Sequence, residues 1–293
     1  MSLSDLFAPG RKGLSFELFP PKNDSGMGDL MESVAKLVEL GPDFLTCTYG
    51  AGGSTRDRTL AVAEGVKKRF SLPVASHLTC VGSTRDQLRS YLQSAAEKGV
   101  DYIVALRGDP PKGESSFTPV EGGLSYANEL VEMIREEFPT FGIAVAGYPE
   151  VHQEAVSAEV DLENLVRKVD AGADVIVTQL FYDNADFFAF RDRCRAAGIG
   201  IPIIPGLLPV LSLKQVQRIA SLCKANLPEH FVSRLQEKDD PRWQFQVGVE
   251  HAINQTQELL ESDIEGLHFY VLNKANATTQ ILEAVSWPAQ ADA

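Results

Sequence analysis

The chain has 293 residues, 44% hydrophobic and 23% charged, so it can bury a sizeable core and is not a disordered chain. Its 27 basic and 40 acidic side chains leave a formal net charge of −13, so neither a nucleic-acid partner nor a membrane partner is expected. The opening segment, MSLSDLFAPGRKG, lacks the apolar stretch of a signal peptide. From there, β-rich runs alternate with amphipathic stretches of helical length. Strands are predicted over 14–19, 43–49, 74–80, 101–109, 143–148, 174–181, 201–207 and 266–273. Helical patterns follow over 30–40, 56–70, 84–98, 126–138, 161–171, 185–197, 213–224 and 276–287. Ser83 or Thr84 can cap the third helix, and Gly99, Gly172 and Gly198 stand where helix C-termini favour glycine.

Eight βα units in one chain favour a closed (β/α)₈ TIM barrel, an α/β fold, over an open doubly wound sheet. The whole of 1–293 is expected to form one barrel domain, with the excess length in helices inserted at 225–265, before the eighth strand. Within that stretch a helical pattern covers 242–261. A second irregular region, 110–124, follows the fourth strand and is rich in Gly, Pro and Ser. Loops after barrel strands lie on the catalytic face, so a lid is expected there. Cys47, Cys80, Cys194 and Cys223 form no C-x-x-C pair, which predicts reduced thiols and a cytoplasmic protein.

Side chains alternate along a strand, so each strand has an inward and an outward set. Ser15, Glu17 and Phe19 oppose the bulky Leu14, Phe16 and Leu18. Thr46 and Thr48 share one side, as do Ala75, His77 and Thr79. In the fourth strand Ile103, Ala105, Arg107 and Asp109 are expected to face inward, against Tyr102, Val104 and Leu106. Ala144, Ala146 and Tyr148 align, as do Val175, Val177 and Gln179, and His268, Tyr270, Leu272 and Lys274. The inward sets turn polar toward their C-terminal ends. Glu17, Thr48, His77, Arg107, Asp109, Tyr148, Gln179 and Lys274 are thus expected at one mouth. Arg107 could alternatively serve to neutralise Asp109 or Glu17.

Glu17 and Asp109 supply two carboxylates, which can divide into an acid and an anion when their environments differ. Phe19 and the prolines after it would give Glu17 a partly apolar setting, favouring a protonated form. A glycosidase also needs two carboxylates, so this pair does not fix the reaction. The histidines show no metal-ligand spacing, and no metal is expected. No Rossmann loop or P-loop is present. The helix that carries Asp161, Asn164, Arg167 and Lys168 is either a solvated face or a cradle for an extended anionic ligand.

Several long motifs occur in order: SFELFPPK at 15–22, TYGAGGSTRDRT at 48–59, HLTC at 77–80, ALRGDPP at 105–111 and AGYPEVH at 146–152. DLENLVRKVDAGAD at 161–174, TQLFYD at 178–183, IPGLLPV at 204–210 and LHFYVLN at 267–273 follow. In these motifs the chain resembles the methylenetetrahydrofolate reductases in their short bacterial form. The resemblance implies FAD at the C-terminal mouth of the barrel. It implies FAD contacts from Thr48, His77, Arg107, Gly108, Asp109, Ala146, Tyr148, His152, Asp161, Asn164, Arg167 and Lys168, and so favours the cradle. Glu17 is implied as the acid catalyst and Asp109 as the carboxylate that meets the pterin and tunes the flavin. Gln179, Gln215, Tyr270 and Lys274 join Glu17 as implied substrate contacts. Lys274 stands where the family often has Arg, and Ile219 where some relatives place an aromatic residue.

The implied reaction is reduction of 5,10-methylenetetrahydrofolate to 5-methyltetrahydrofolate by NADH or NADPH, through FAD, in two alternating steps. It would feed one-carbon metabolism and methionine synthesis. A homo-oligomer is also implied, without the regulatory domain of eukaryotic relatives.

Overall fold

A computed structural model of the chain describes residues 2–49, 56–110, 113 and 117–287. Its strands are β1 (Gly13–Leu18), β2 (Phe44–Cys47), β3 (Val74–Thr79), β4 (Tyr102–Leu106), β5 (Gly142–Gly147), β6 (Val175–Thr178), β7 (Ile203–Ile204), β8 (Gly206–Leu207) and β9 (Gly266–Phe269). All pair in parallel, in the order β7-β6-β5-β4-β3-β2-β1-β9-β8. β7 and β8 are two halves of the seventh predicted strand, split at Pro205, which has no N–H to give to a ladder. The broken strand still hands the circle on. Ile176 N–H donates to Pro202 O at 2.9 Å on one side, and His268 N–H donates to Pro205 O at 3.0 Å on the other. The result is the nearly closed (β/α)₈ barrel that the alternation predicts.

Around it run α1 (Met27–Val38), α2 (Arg56–Phe70), α3 (Arg85–Glu97), α4 (Ala127–Glu137), α5 (Ala158–Asp170), α6 (Asn184–Ala196), α7 (Leu213–Cys223) and α10 (Asn276–Ala284). Each lays an apolar stripe on the sheet, as Leu30, Val34 and Leu37 do for α1. Thr84 caps α3 with a reciprocal bond pair to Gln87. The insertion before the last strand forms α8 (Glu229–Gln236) and α9 (Pro241–Glu261). Asp240 caps α9 through the Arg242 N–H, and Pro241 occupies the first turn, where a missing N–H costs nothing. Of the expected lid at 110–124, residues 111, 112 and 114–116 lie outside the described residues. Its end is tied down by a bridge between Thr84 and Gly123.

The N-terminal segment closes the bottom of the barrel. A short 3₁₀ turn over Ser4–Phe7 buries Leu6 and Phe7, and with Leu3 these pack on Phe44, Tyr102, Val104 and Val175. Phe7 and Tyr102 each meet the Phe44 ring edge-on, at 6.3 and 5.5 Å. Gly13 and Gly266 make room for the plug: a Cβ on Gly13 would fall 2.3 Å from Phe7 Cε1, and one on Gly266 2.8 Å from Phe7 Cδ1.

Three strand starts at this end share one device. Asp43, Asp101 and Asp174 each donate their N–H to the carbonyl of Leu14, Val74 or Ile143 on the neighbouring strand. Each carboxylate then accepts the N–H of that same residue, at 2.8, 2.9 and 2.7 Å. Arg11, Lys67 and Arg135 are their respective ion-pair partners.

One inward set differs from the sequence expectation. In β4 it is Tyr102 and Val104 that fill the barrel interior, while Ile103 and Ala105 pack outward under the helices. Arg107 and Asp109 are therefore not the inward continuation of the strand. They reach the mouth because the backbone leaves the sheet after Leu106 and turns at Gly108, whose φ of 89° a side chain would strain. At the other end of the circle, β9 stops at Phe269. Leu272 and Asn273 then take left-handed φ values of 48° and 59°, and Lys274 emerges exposed instead of pointing into the mouth.

Candidate active site

The C-terminal ends of the strands open into a cavity of about 520 Å³. Its floor and walls carry Glu17, Thr46, His77, Tyr148, Gln179 and Tyr270, with Val104, Leu106, Val177 and Leu208 as apolar lining. Glu17 lies deepest among the carboxylates. It is 6% exposed, and burial pushes its carboxyl up to about 8. The setting is its depth in the barrel more than Phe19, which is 39% exposed at the rim. His77 Nε2 stands 3.4 Å from the Glu17 carboxyl, and burial lowers its ring to about 4. Both groups are thus neutral near pH 7, and their contact joins an acid to an imidazole, not a carboxylate to a cation. The sequence placed both at the mouth; their contact, between non-adjacent strands, follows only from the stagger of the barrel.

Below them, His268 Nδ1 and Ser15 Oγ are 2.8 Å apart in the interior. Asp109, the second carboxylate, is exposed at the rim, so the two acids have the divided environments that the sequence suggested. Arg107 neutralises neither of them. Its guanidinium grips Glu154 with two bonds of 2.8 and 2.9 Å and lies 5.1 Å from the Phe117 ring centroid. Glu154 follows His152 by two residues and was within reach of the AGYPEVH motif, yet only the loop's fold identifies it as the partner.

Helix α5 presents its polar residues in two directions. Ser157 caps it. Lys168 turns under the mouth, donating to Ala146 O at 2.6 Å, with burial lowering its amine to about 8. Asp161 accepts the His152 N–H at 3.0 Å, and the His152 and Tyr148 rings meet edge-on at 4.6 Å. Asn164 and Arg167 bond each other at 3.1 Å on the exposed face.

Thr48, Gly108 and Gln179 line the cavity; the Gln179 amide oxygen also accepts the Leu180 N–H at 2.9 Å. Tyr270 does too, its hydroxyl donating to Thr178 O at 2.6 Å. Gln215 is engaged at the start of α7, where its side-chain oxygen accepts the Leu211 N–H at 3.1 Å. Among the described residues no three His, Cys, Asp or Glu side chains gather as metal ligands, and no helix is long and apolar enough to cross a membrane.

The donor set suits a flat ring with polar edges and an anionic tail. Apolar walls flank the cavity, and the hydroxyls of Thr46 and Thr79 are buried in it without a hydrogen-bond partner among the described residues. Arg107 supplies positive charge at the rim and Lys168 beneath it, in a chain whose net charge is −13.

The family model for methylenetetrahydrofolate reductase matches residues 2–286. The chain belongs to the methylenetetrahydrofolate reductase family. It is 41% identical over 283 residues to a 5,10-methylenetetrahydrofolate reductase of Pectobacterium carotovorum subsp. carotovorum, covering 96% of this chain and 91% of that protein. It is 40% identical over 273 residues to the Escherichia coli (strain K12) enzyme of that name, covering 93% and 90%. A maize protein, methylenetetrahydrofolate reductase (NADH) 1, is 39% identical over 284 residues. The chain spans about half the length of the plant relatives, 48% for maize.

Among solved structures, an uncharacterized Clostridium thermocellum protein that binds two copies of 5-methyl-5,6,7,8-tetrahydrofolic acid shares the fold. Its TM-score is 0.69 at 15% identity, over 97% of this chain and 98% of that one. A Xanthomonas albilineans dihydropteroate synthase follows the same barrel with a TM-score of 0.52 at 16% identity, over 95% and 94%. Within this family frame, Thr46, Thr79, Phe117 and Glu154 are the site residues that sequence reading left without a role. Strand alternation had already turned Thr46 and Thr79 inward.

Proposed function

We propose that this chain reduces 5,10-methylenetetrahydrofolate to 5-methyltetrahydrofolate, with NADH or NADPH as the electron source and FAD bound in the mouth of the barrel. The observation that carries this reading is a buried carboxyl group, Glu17, on the floor of the cavity and 3.4 Å from His77, in a member of this family. A folate ligand is in keeping with the methyltetrahydrofolate bound by the Clostridium structure.

The residues suited to FAD are Lys168 and Arg107 for its phosphates, with Thr48, His77, Tyr148 and His152 around the rings. The flavin, when bound, supplies hydride transfer between nicotinamide and folate. What the chain itself supplies is a proton and a geometry. Glu17 holds its proton up to about pH 8 and gives it to N10 of the folate, opening the five-membered ring toward an N5 iminium. Gln179 and Tyr270 face the same cavity and orient the pterin. For Arg107 to meet phosphate, it must exchange Glu154 for the incoming anion, one carboxylate for another acceptor of like charge.

The purified protein is expected to be yellow, to bleach anaerobically with NADH or NADPH, and to recolour on adding 5,10-methylenetetrahydrofolate. A colourless preparation that takes up no FAD would sink the proposal.

A further inference from the structure

Thr46 is 2% exposed, and its hydroxyl finds no hydrogen-bond partner among the described residues, Glu17 included. It is the residue opposite Glu17 in the β1–β2 register, on the same inward side, and it lines the same cavity. Adjacent strands run about 4.8 Å apart, so the two side chains leave the sheet side by side. A buried hydroxyl left unpaired costs stability that an apolar isostere would not. That cost has a counterpart if the partner exists only during the reaction.

Glu17 changes charge when it works. Its O–H bond breaks, an N–H bond forms at N10 of the folate, and the electron pair stays on the carboxylate; nothing is oxidised or reduced in this step. A carboxylate then sits where burial disfavours charge. The titratable groups near it are Cys47 of β2, His77 of β3, Cys223 of α7 and Tyr270, the residue after β9. None of them is a cation near neutral pH. The Tyr270 hydroxyl is committed to Thr178 O, and Cys47 packs in the outer core. Thr46 and Thr79 have the uncommitted hydroxyls of this cavity among the described residues, and of the two it is Thr46 that stands opposite Glu17 in the register.

We propose that Thr46 is a positioning residue for the acid, its hydroxyl turning to donate a hydrogen bond to the Glu17 carboxylate as the proton leaves. The inference rests on the function proposed above. Such a bond favours the state after proton transfer over the state before it, which is the kind of interaction that speeds a step.

Thr46→Val keeps the shape and removes the hydroxyl; Thr46→Ser keeps the hydroxyl. For Thr46→Val the expected result is an undiminished melting temperature and a folate half-reaction slowed about ten- to a hundredfold, the worth of a bond to a charged group. Reduction by NADH or NADPH should stay within about twofold of the parent. Glu17 should ionise about one pH unit higher or more, followed by the infrared carboxyl stretch in flavin-free protein, with Glu17→Gln identifying the band. Thr46→Ser should restore all of these.

A Thr46→Val protein with the parent's folate rate and an unmoved carboxyl band would overturn the inference. So would Thr46→Ser failing as badly as Thr46→Val, or a lowered melting temperature with both half-reactions impaired. Failure of the functional reading looks different: the parent protein itself would not exchange electrons with the folate, while the infrared titration would still judge Thr46.

Discussion

The two ends of the barrel are built on opposite terms. At the N-terminal end, Leu3, Leu6 and Phe7 fill the interior, and Asp43, Asp101 and Asp174 each hold both a neighbouring N–H and a cation. At the C-terminal end the interior is a cavity, Glu17 is neutral through burial, and Thr46 and Thr79 have hydroxyls without protein partners. One end uses these carboxylates to fasten strands. The other leaves polar groups for something that is not protein. The same eightfold framework thus separates stability from chemistry along its axis.

The largest effect that tests this division should come from the plug. Phe7→Ala empties a buried ring site against Phe44, so a loss of about 3–5 kcal/mol in unfolding free energy is expected by chemical denaturation. Flavin affinity of the molecules that remain folded should be unchanged. A variant that kept its stability but lost flavin would break the comparison, because it would couple the two ends.

At the other end, Glu17→Gln removes the acidic proton and keeps the size. The folate half-reaction should slow at least about a hundredfold, while reduction by NADH or NADPH stays near the parent rate in stopped-flow absorbance. Stability should respond in the opposite sense to a fastening carboxylate. The folded protein holds this proton up to about pH 8, against 4.5 for the ordinary carboxyl. The stability linked to it is complete below pH 4.5 and is lost as pH rises through about 8. Glu17→Gln should abolish that decline. Equal slowing of both half-reactions would instead make Glu17 a structural partner of His77.

Much of this division is legible in the sequence, and the gaps have physical reasons. Alternation identifies the barrel and puts Glu17, Thr46, His77 and Tyr148 inside, because those strands keep their pleat to the end. It fails in β4, where Arg107 and Asp109 lie beyond the strand and owe their place to the turn at Gly108. It fails again at Lys274, after two left-handed residues. The plug escaped notice although Leu3, Leu6 and Phe7 show helical spacing, since so short a turn gains its meaning only from the hole it fills. Pairs such as His77 with Glu17 and Arg107 with Glu154 join elements whose approach no one-dimensional pattern encodes.

A smaller effect is expected at Lys168, which sits between the regimes: its amine is buried and bonded to Ala146 O, yet carries charge toward the mouth. Lys168→Met should leave a folded protein that binds FAD about ten- to a hundredfold more weakly, measured by equilibrium dialysis. Burial brings the amine down to about 8, so FAD affinity of the parent should fall as pH rises past that value, and Lys168→Met should not show the fall. If the variant holds FAD as tightly as the parent, Lys168 belongs with the fastening groups of the lower barrel.

The smallest effect should come from Asp109, because its side chain is exposed and solvent screens its charge. Asp109 stands directly after the turn at Gly108, at the edge of the cavity. A negative charge there opposes the gain of negative charge on a reduced flavin. Asp109→Asn removes that opposition, so the flavin potential should rise. For a two-electron couple about 30 mV corresponds to 1.4 kcal/mol, and a screened rim carboxylate should move the potential by no more than about that. A redox titration against a reference dye reads the shift directly. A rise within this limit places Asp109 on the chemical end as a rim charge. A much larger rise would mean that flavin binding draws Asp109 out of solvent and against the ring, and the rim would then have to be counted part of the floor. An unchanged potential would detach Asp109 from the flavin altogether and leave Glu17 the sole acid of the site.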